Sequence, residues 1–199
     1  MIRKESLLCK LFRYCGSPKE IYGSLMVSFR AETETCPYCQ AKGECRIHAY
    51  YSRGCIDFRG GRPAMSRIRV LRVICRSCGH THAILPDCII PFTRHSLTFI
   101  LKVLTCFSCR RRLTSERICE LFGLGMTTLH RWRKLYRDHK SFWLGVLDDK
   151  RTTDFAFLKN LCRLSQISSF LSAFYKRAGL SFLQGHRNPA ANCGRLGTS

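Results

Sequence analysis

Apolar and polar residues alternate through the middle of the chain in a way that is typical of β-strands. The alternation is clearest over residues 46–51, 67–74 and 82–85, where β-branched side chains are also frequent. A Gly-Gly-Arg-Pro segment at 60–63 separates the first two stretches. Its glycines favour a turn, and we expect its proline to stop the strand ladder. The pattern therefore predicts a small β unit between residues 36 and 91.

Beyond Pro91 the apolar residues recur every three or four positions, which is the spacing of amphipathic helices. The recurrence predicts three short helices before residue 141. Two further helices are expected over roughly 154–164 and 167–178. The chain is thus expected to be α+β, with its strands preceding its helices.

Composition adds a strong positive charge to this picture. The 199 residues include 34 Lys and Arg against 13 Asp and Glu, a formal charge of +21. Hydrophobic residues make up 45% of the chain, which excludes a wholly disordered basic tail. The segments 36–94 and 95–140 each hold ten basic and three acidic residues. Nucleic acid is the expected partner, ahead of an acidic membrane surface and an acidic protein.

The fourteen cysteines are interpreted together with the expected location of the chain. No segment has the ~20 apolar residues that cross a bilayer, and the first sixteen residues lack the apolar core of a signal peptide. We therefore expect a cytoplasmic protein with no membrane association. Thiols are kept reduced there, so clustered pairs indicate metal binding in preference to disulfides.

Two Cys-x-x-C pairs, Cys36 with Cys39 and Cys75 with Cys78, are the strongest chemical signal. Two intervening residues let both thiolates of a tight turn face one ion, and two such pairs complete a tetrahedral shell for Zn²⁺. The 35 residues between the pairs carry strand patterns, so a hairpin would bring the pairs together. A closed four-cysteine site leaves no open position for water, which predicts a structural role.

Other potential ligands flank the two pairs. They could form a second metal site or replace one of the four cysteines: Cys45, His48, Cys55, His80 and His82. No complete set of four among them has a consistent spacing, so core or surface positions remain the alternative interpretation.

The segment 114–137 predicts a helix-turn-helix unit. Thr114 caps a short helix, Gly123 suits the left-handed turn that ends it, and a second helix is expected over 126–137. Leu129, Trp132 and Tyr136 would lock this helix to the preceding one. A recognition helix carries short polar residues that reach bases and basic residues that reach phosphates or guanine. The predicted DNA-binding residues are Thr127, Thr128, His130, Arg131, Arg133, Lys134 and Arg137, with Arg110, Arg111 and Arg112 as a phosphate clamp.

The order of these motifs resembles an uncharacterised bacterial zinc-ribbon family that is similar to the N-terminal DNA-binding part of mobile-element transposases. The resemblance covers roughly 36–140 and is most specific in the Cys-Arg-Ser-Cys-Gly-x-Thr-His-Ala stretch at 75–83. It implies that Cys36, Cys39, Cys75 and Cys78 are the zinc ligands and that the helix 127–137 reads DNA.

These inferences divide the chain into five expected segments. They are an N-terminal segment of unassigned role at 1–35, a zinc-ribbon domain at 36–91, a helix-turn-helix domain at 92–141, C-terminal helices at 142–183 and a disordered tail at 184–199. Few carboxylates follow the helix-turn-helix, so no set for metal-dependent DNA cleavage is visible and we do not expect an enzyme.

We expect a zinc-dependent protein that binds double-stranded DNA, as an accessory or truncated product of a mobile element. A second copy of the chain or a transposase would be its protein partner. A transcriptional regulator is one alternative. A zinc-stabilised adaptor for RNA or protein is the other, since Tyr50 and Tyr51 would be exposed on the ribbon.

Overall fold

The computed structural model describes residues 2–4, 18–109, 113–147, 152–162 and 167–185. These residues form an α+β fold in which a three-stranded antiparallel sheet is followed by helices, as the sequence predicts. One further helix, which the sequence analysis did not predict, precedes the sheet. A short strand at the N-terminus adds to the sheet in parallel, giving the order β1-β4-β3-β2. The strands are β1 (Ile2–Lys4), β2 (Cys45–Arg59), β3 (Arg62–Cys75) and β4 (Thr81–Pro86), and the helices are α1 (Pro18–Ser28), α2 (Leu97–Ser108), α3 (Ser115–Phe122), α4 (Met126–Leu147), α5 (Asp154–Leu161) and α6 (Ile167–Ala178).

Strands β2 and β3 form a hairpin that is much longer than the sequence pattern suggests. Gly60 and Gly61 make its two-residue turn, both at positive φ (57° and 78°). This conformation costs glycine little and matches the twist of the strands. The expectation that Pro63 stops the ladder is wrong, because Pro63 is paired with Phe58 inside β3. In an antiparallel pair every second position turns its nitrogen away from the partner strand, where a proline removes no ladder bond.

A β-bulge at His48 sets the register at the other end of the hairpin. Ile47 is opposite Val73 and Ala49 is opposite Arg72, so His48 is an extra residue on β2. Beyond the bulge Cys45 pairs with Cys75. The bulge therefore determines which residues of β2 lie beside the second cysteine pair.

The helices pack around an aromatic core. Ser96 caps α2 and Thr114 caps α3, each accepting a backbone N–H with its hydroxyl oxygen. Helix α2 is buried over most of its surface, and the Phe99 ring at its centre packs edge-on against Phe122 and Trp132. This core places α3 and α4 against α2.

Helix α4 continues to Leu147, whereas the sequence analysis placed the end of this helical unit at residue 141. No proline interrupts the helix after Tyr136, and its continuation has aromatic residues that find partners. The Trp143 ring packs edge-on against Phe170 of α6 at 5.0 Å between centroids. One helix therefore joins the segments 92–141 and 142–183.

The C-terminal helices cover the far end of α4. Helices α5 and α6 begin at Asp154 and Ile167 as expected, and α5 ends at Leu161, a few residues earlier than predicted. The expected disordered tail lies outside the described residues, except for 184 and 185. Among the helices that the structure describes, none is long and apolar enough to cross a membrane.

Candidate functional site

The two Cys-x-x-C pairs adopt the same backbone turn. Gln40 and Gly79, which follow the second cysteine of each pair, have φ of 61° and 71° and donate their N–H to the carbonyls of Cys36 and Cys75. The backbone N–H of the first cysteine of each pair donates a hydrogen bond to the carbonyl five positions later, from Cys36 to Ala41 and from Cys75 to His80. The positive φ is inexpensive for Gly79 and strained for Gln40. Both turns direct their thiols to one point.

The sulfur geometry fits a single tetrahedral metal ion. The Sγ atoms of all four cysteines lie within 4.8 Å of one another. Two sulfur pairs, Cys36 with Cys78 and Cys39 with Cys75, are each 3.7 Å apart. Four sulfurs around Zn²⁺ at 2.3 Å would be separated by ~3.8 Å, whereas a disulfide would bring them to ~2.05 Å. The arrangement is one that could hold a metal ion.

Local hydrogen bonds favour a thiolate at this site. Burial disfavours the charged form of Cys75, but the backbone N–H groups of Cys78 and Ser77 stabilise it and lower its pKa to about 7. The backbone N–H of His80 likewise lowers the pKa of Cys78. Burial and the neighbouring thiols outweigh this hydrogen bond, and they raise the pKa of Cys78 to about 12. Four thiolates without a cation repel one another, so full ionisation requires a bound cation.

His82 contacts the cluster from outside. Its Nε2 lies 3.2 Å from the Cys36 sulfur, and the ring is buried. The His80 ring stacks on the Tyr38 ring at 3.6 Å between centroids. The sequence analysis named both histidines as possible ligands of a second site or as replacements for one of the four cysteines. It did not predict a contact beside the intact group, because the spacing does not show that β4 returns next to the first cysteine pair.

The alternative ligands do not assemble into a second site in the part of the chain that the structure describes. The four-cysteine group is the one cluster found there with three or more potential ligands. Cys45 is buried beside it in the sheet, His48 is exposed at the bulge, and Cys55 is buried further along the hairpin. Burial raises the pKa of Cys55 to about 12, which keeps this thiol neutral.

Helices α3 and α4 meet at a tight turn. Gly123 ends α3 in the left-handed conformation, and the Leu124 N–H returns to the Cys119 carbonyl at 2.9 Å. Helix α4 starts at Met126 and buries Leu129, Trp132 and Tyr136. The buried stripe leaves the other side of its first three turns facing solvent.

The predicted DNA-binding residues divide into three groups. Five lie exposed along the outer side of α4: Thr127, His130, Arg131, Lys134 and Arg137. Thr128 and Arg133 are half-buried, and the Arg133 guanidinium lies over the Phe107 ring of α2 at 3.8 Å. Arg110, Arg111 and Arg112 lie outside the described residues. The structure thus brings together five exposed residues and gives Arg133 a contact within the fold.

Arg94 is an exposed basic residue just before α2 that the sequence analysis did not identify. Its carbonyl accepts the Ile56 N–H at the outer edge of β2. Burial and then the positive charges of Arg131 and Arg94 lower the pKa of His95 to about 4. In the sequence, Arg94 is only the residue two positions before Ser96, which caps α2. Its position beside the edge of β2 depends on tertiary structure, so the sequence alone does not indicate it.

Comparison with known proteins gives one family match. Residues 36–132 match the model of a domain of unknown function (DUF6431), which spans both cysteine pairs and the start of α4. Neither the curated proteins nor the solved structures gave a match. Nothing found indicates an enzyme.

Proposed function

We propose that this chain is a zinc-stabilised protein that binds double-stranded DNA, with α3 and α4 forming a helix-turn-helix unit. The observation that carries the proposal is the pair α3–α4 itself. Two helices joined through the left-handed Gly123 leave five polar and basic residues of α4 exposed, while its apolar stripe is buried. This division between a docking side and a reading side is what a recognition helix requires.

The distribution of residue types along α4 supports an approach by its N-terminal end. Thr127, His130 and Arg131 lie in the first two turns, where a recognition helix meets base edges. Lys134 and Arg137 follow one and two turns later and would contact phosphates. Arg133, stacked on Phe107, would hold α4 against α2.

The cysteine cluster supports Zn²⁺ as the resident metal. Four thiolates in a tetrahedron select a soft or borderline ion, and Zn²⁺ has no geometric preference that this arrangement violates. Cys36, Cys39, Cys75 and Cys78 would hold the ion and fill its coordination. A closed site of this kind supplies folding free energy and no open position for catalysis.

The net charge of +21 supports a polyanionic partner. A duplex releases condensed counterions when basic side chains approach its phosphates, which gives affinity that does not depend on sequence. The resemblance to transposase DNA-binding regions supports a mobile-element context, in which the chain would be an accessory or truncated product. A transcriptional regulator would use the same surface, and a second copy of the chain or a transposase would add contacts.

A zinc-stabilised adaptor for RNA is the second candidate function, because Tyr50 and Tyr51 are exposed on the hairpin. Exposed aromatic rings next to arginine are typical of surfaces on which unpaired bases stack. This candidate predicts tighter binding to single-stranded RNA than to duplex DNA.

Substitution of Arg131 tests the helix assignment. We expect Arg131→Ala to weaken duplex binding at least tenfold in fluorescence anisotropy, as the loss of a base or phosphate contact does. Lys159→Gln, an exposed change on α5, is the matched control and should bind as the wild type does. Equal affinities of the Arg131→Ala and Lys159→Gln proteins would contradict a reading role for α4.

A further inference from the structure

The β2–β3 hairpin is unusually basic for a structural element. Residues 45–75 contain seven arginines and one acidic residue, Asp57. The Asp57 carboxylate is bound by the Thr98 hydroxyl and by the Phe58 N–H, so it is engaged within the fold. The positive charge of the hairpin is therefore not balanced along its exposed length.

One face of the hairpin is open in its middle and covered at both ends. At the turn end Phe58 packs against Phe99 and Phe122, and at the other end Leu71 and Val73 join the buried core around the cysteines. Alternation places on this same face five exposed residues between the covered ends: Tyr50, Ser52, Met65, Arg67 and Arg69. We call the four of them other than Met65 the hairpin strip.

The hairpin strip is organised by contacts across the two strands. Arg69 is opposite Ser52, and Arg67 is opposite Gly54, which has no side chain to cover it. The Arg69 guanidinium lies over the Tyr50 ring at 4.4 Å. This cation–π contact restricts the guanidinium of an otherwise exposed side chain. Within the described ranges neither arginine forms an ion pair with a carboxylate.

The strip is attached to the helix pair through the outer edge of β2. Ile56 exchanges backbone hydrogen bonds with Arg94 and Ser96, and the neighbouring His95 ring packs edge-on against Trp132 of α4 at 4.8 Å. Ser52 is four residues before Ile56, or ~13 Å along the strand. The strip and the exposed side of α4 therefore belong to one packed unit.

We propose that the hairpin strip is a second contact surface for duplex DNA, binding the phosphate backbone beside the site that α4 reads. This inference rests on the proposed function, which it extends from one helix to a bipartite interface. Charge complementarity favours the phosphate backbone, since the strip offers two exposed arginines and a serine hydroxyl and contains no acidic group. The strip sets affinity and the length of the contact, whereas α4 sets sequence preference.

The test compares two variants that each lose two positive charges. The hairpin variant is the double substitution Arg67→Gln and Arg69→Gln. The control is the double substitution Lys159→Gln and Lys176→Gln, at exposed positions of α5 and α6. Binding to a labelled mixed-sequence duplex is measured by anisotropy over a range of salt concentrations, and zinc content and circular dichroism establish that each variant is folded. Hydroxyl-radical footprinting on a selected site reports the length of the contact.

We expect the hairpin variant to bind on the order of tenfold more weakly near physiological salt, with a log–log salt slope smaller by about 1.8. Its footprint should lose protection on one flank only.

A hairpin variant that matches the lysine control in affinity, slope and footprint overturns the inference and leaves the proposed function intact. A wild-type protein that binds no duplex overturns the proposed function itself. If the hairpin variant instead lost about tenfold in affinity for a single-stranded RNA and kept its duplex affinity, the strip would be assigned to RNA and the inference would also be overturned.

Discussion

The two ends of the hairpin are held by different means. At one end the buried core around the cysteines consists of seven residues, three of which are Cys36, Cys45 and Cys75. At the other end the strands pack on helices whose core is continuous and rich in aromatic rings, from Phe99 to Phe174. A small core without a cross-link is marginal in water. A bound metal ion would therefore stabilise the cysteine end of the hairpin, whereas apolar burial stabilises the helical end.

Loss of the metal should have the largest effect, and it should be confined to one end. We expect chelation, or Cys75→Ser, to remove nearly all bound zinc and to abolish hydrogen-exchange protection around both cysteine pairs, because the local core lacks apolar area. Helices α2–α4 should keep their protection. Cys162→Ser, at an exposed thiol, is the control and should retain one zinc per chain. Full zinc content in the Cys75→Ser protein would contradict the ligand assignment.

A cavity in the helical core should lower the stability of the helical end without removing zinc from the cysteine end. Trp132 is 1% exposed and packs against His95 and Phe99. We expect Trp132→Ala to lower the free energy of unfolding by ~3–5 kcal/mol, the usual cost of removing a buried aromatic side chain. Urea denaturation followed by circular dichroism measures this loss. Zinc content should stay at that of the wild type, and zinc loss equal to that of Cys75→Ser would show that the two ends do not differ.

Acid should destabilise the helical end through a buried histidine. Burial lowers the pKa of His139 to about 4, against the opposing charge of Asp138. Its neutral Nδ1 accepts the Leu183 N–H at 2.9 Å, between the Phe174 and Phe182 rings. Because the unfolded state takes up this proton first, stability is full above pH ~6.5 and falls as the pH drops toward 4.

The His139→Gln protein isolates this contribution. Glutamine supplies an acceptor that does not titrate, so the difference in unfolding free energy between the two proteins should change by roughly 1–3 kcal/mol between pH 6.5 and 4. Parallel pH profiles of the wild-type and variant proteins, from urea denaturation at each pH, would show that His139 does not contribute.

A change at the turn between α3 and α4 should have the smallest effect. Gly123 has φ 61°, and a Cβ at this position would meet nothing within 4 Å. Gly123→Ala should therefore cost only backbone strain, about 1 kcal/mol. Gly145→Ala, within α4, is the control and is expected to be neutral or slightly stabilising. A loss of several kcal/mol at position 123 would mean that the two helices are joined in another way.

Local rules were sufficient where the relevant interactions lie close together in sequence. The glycine turn at 60–61, the caps Ser96 and Thr114 and the left-handed Gly123 follow from backbone chemistry, and Thr114 and Gly123 were predicted on that basis. The proximity of the two cysteine pairs was also predicted, since one hairpin is the simplest way to bring them together.

Contacts between distant segments were not accessible to the same rules. The bulge at His48 depends on how β2 fits both β3 and the cysteine turns. The extension of α4 to Leu147 depends on Trp143 finding Phe170 on a helix 24 residues later. The positions of His82 beside Cys36 and of Arg133 over Phe107 likewise arise from tertiary packing, which periodicity does not encode.

The salt dependence of duplex binding, measured with and without prior zinc chelation, tests the central claim most directly. Fluorescence anisotropy with a labelled mixed-sequence duplex should give an affinity whose logarithm falls steeply and linearly with the logarithm of salt concentration. Chelation should weaken this binding by removing the hairpin strip from its position, while the folded helix pair retains a residual affinity. Absence of duplex binding at low salt, with zinc bound and the chain folded, would contradict the account.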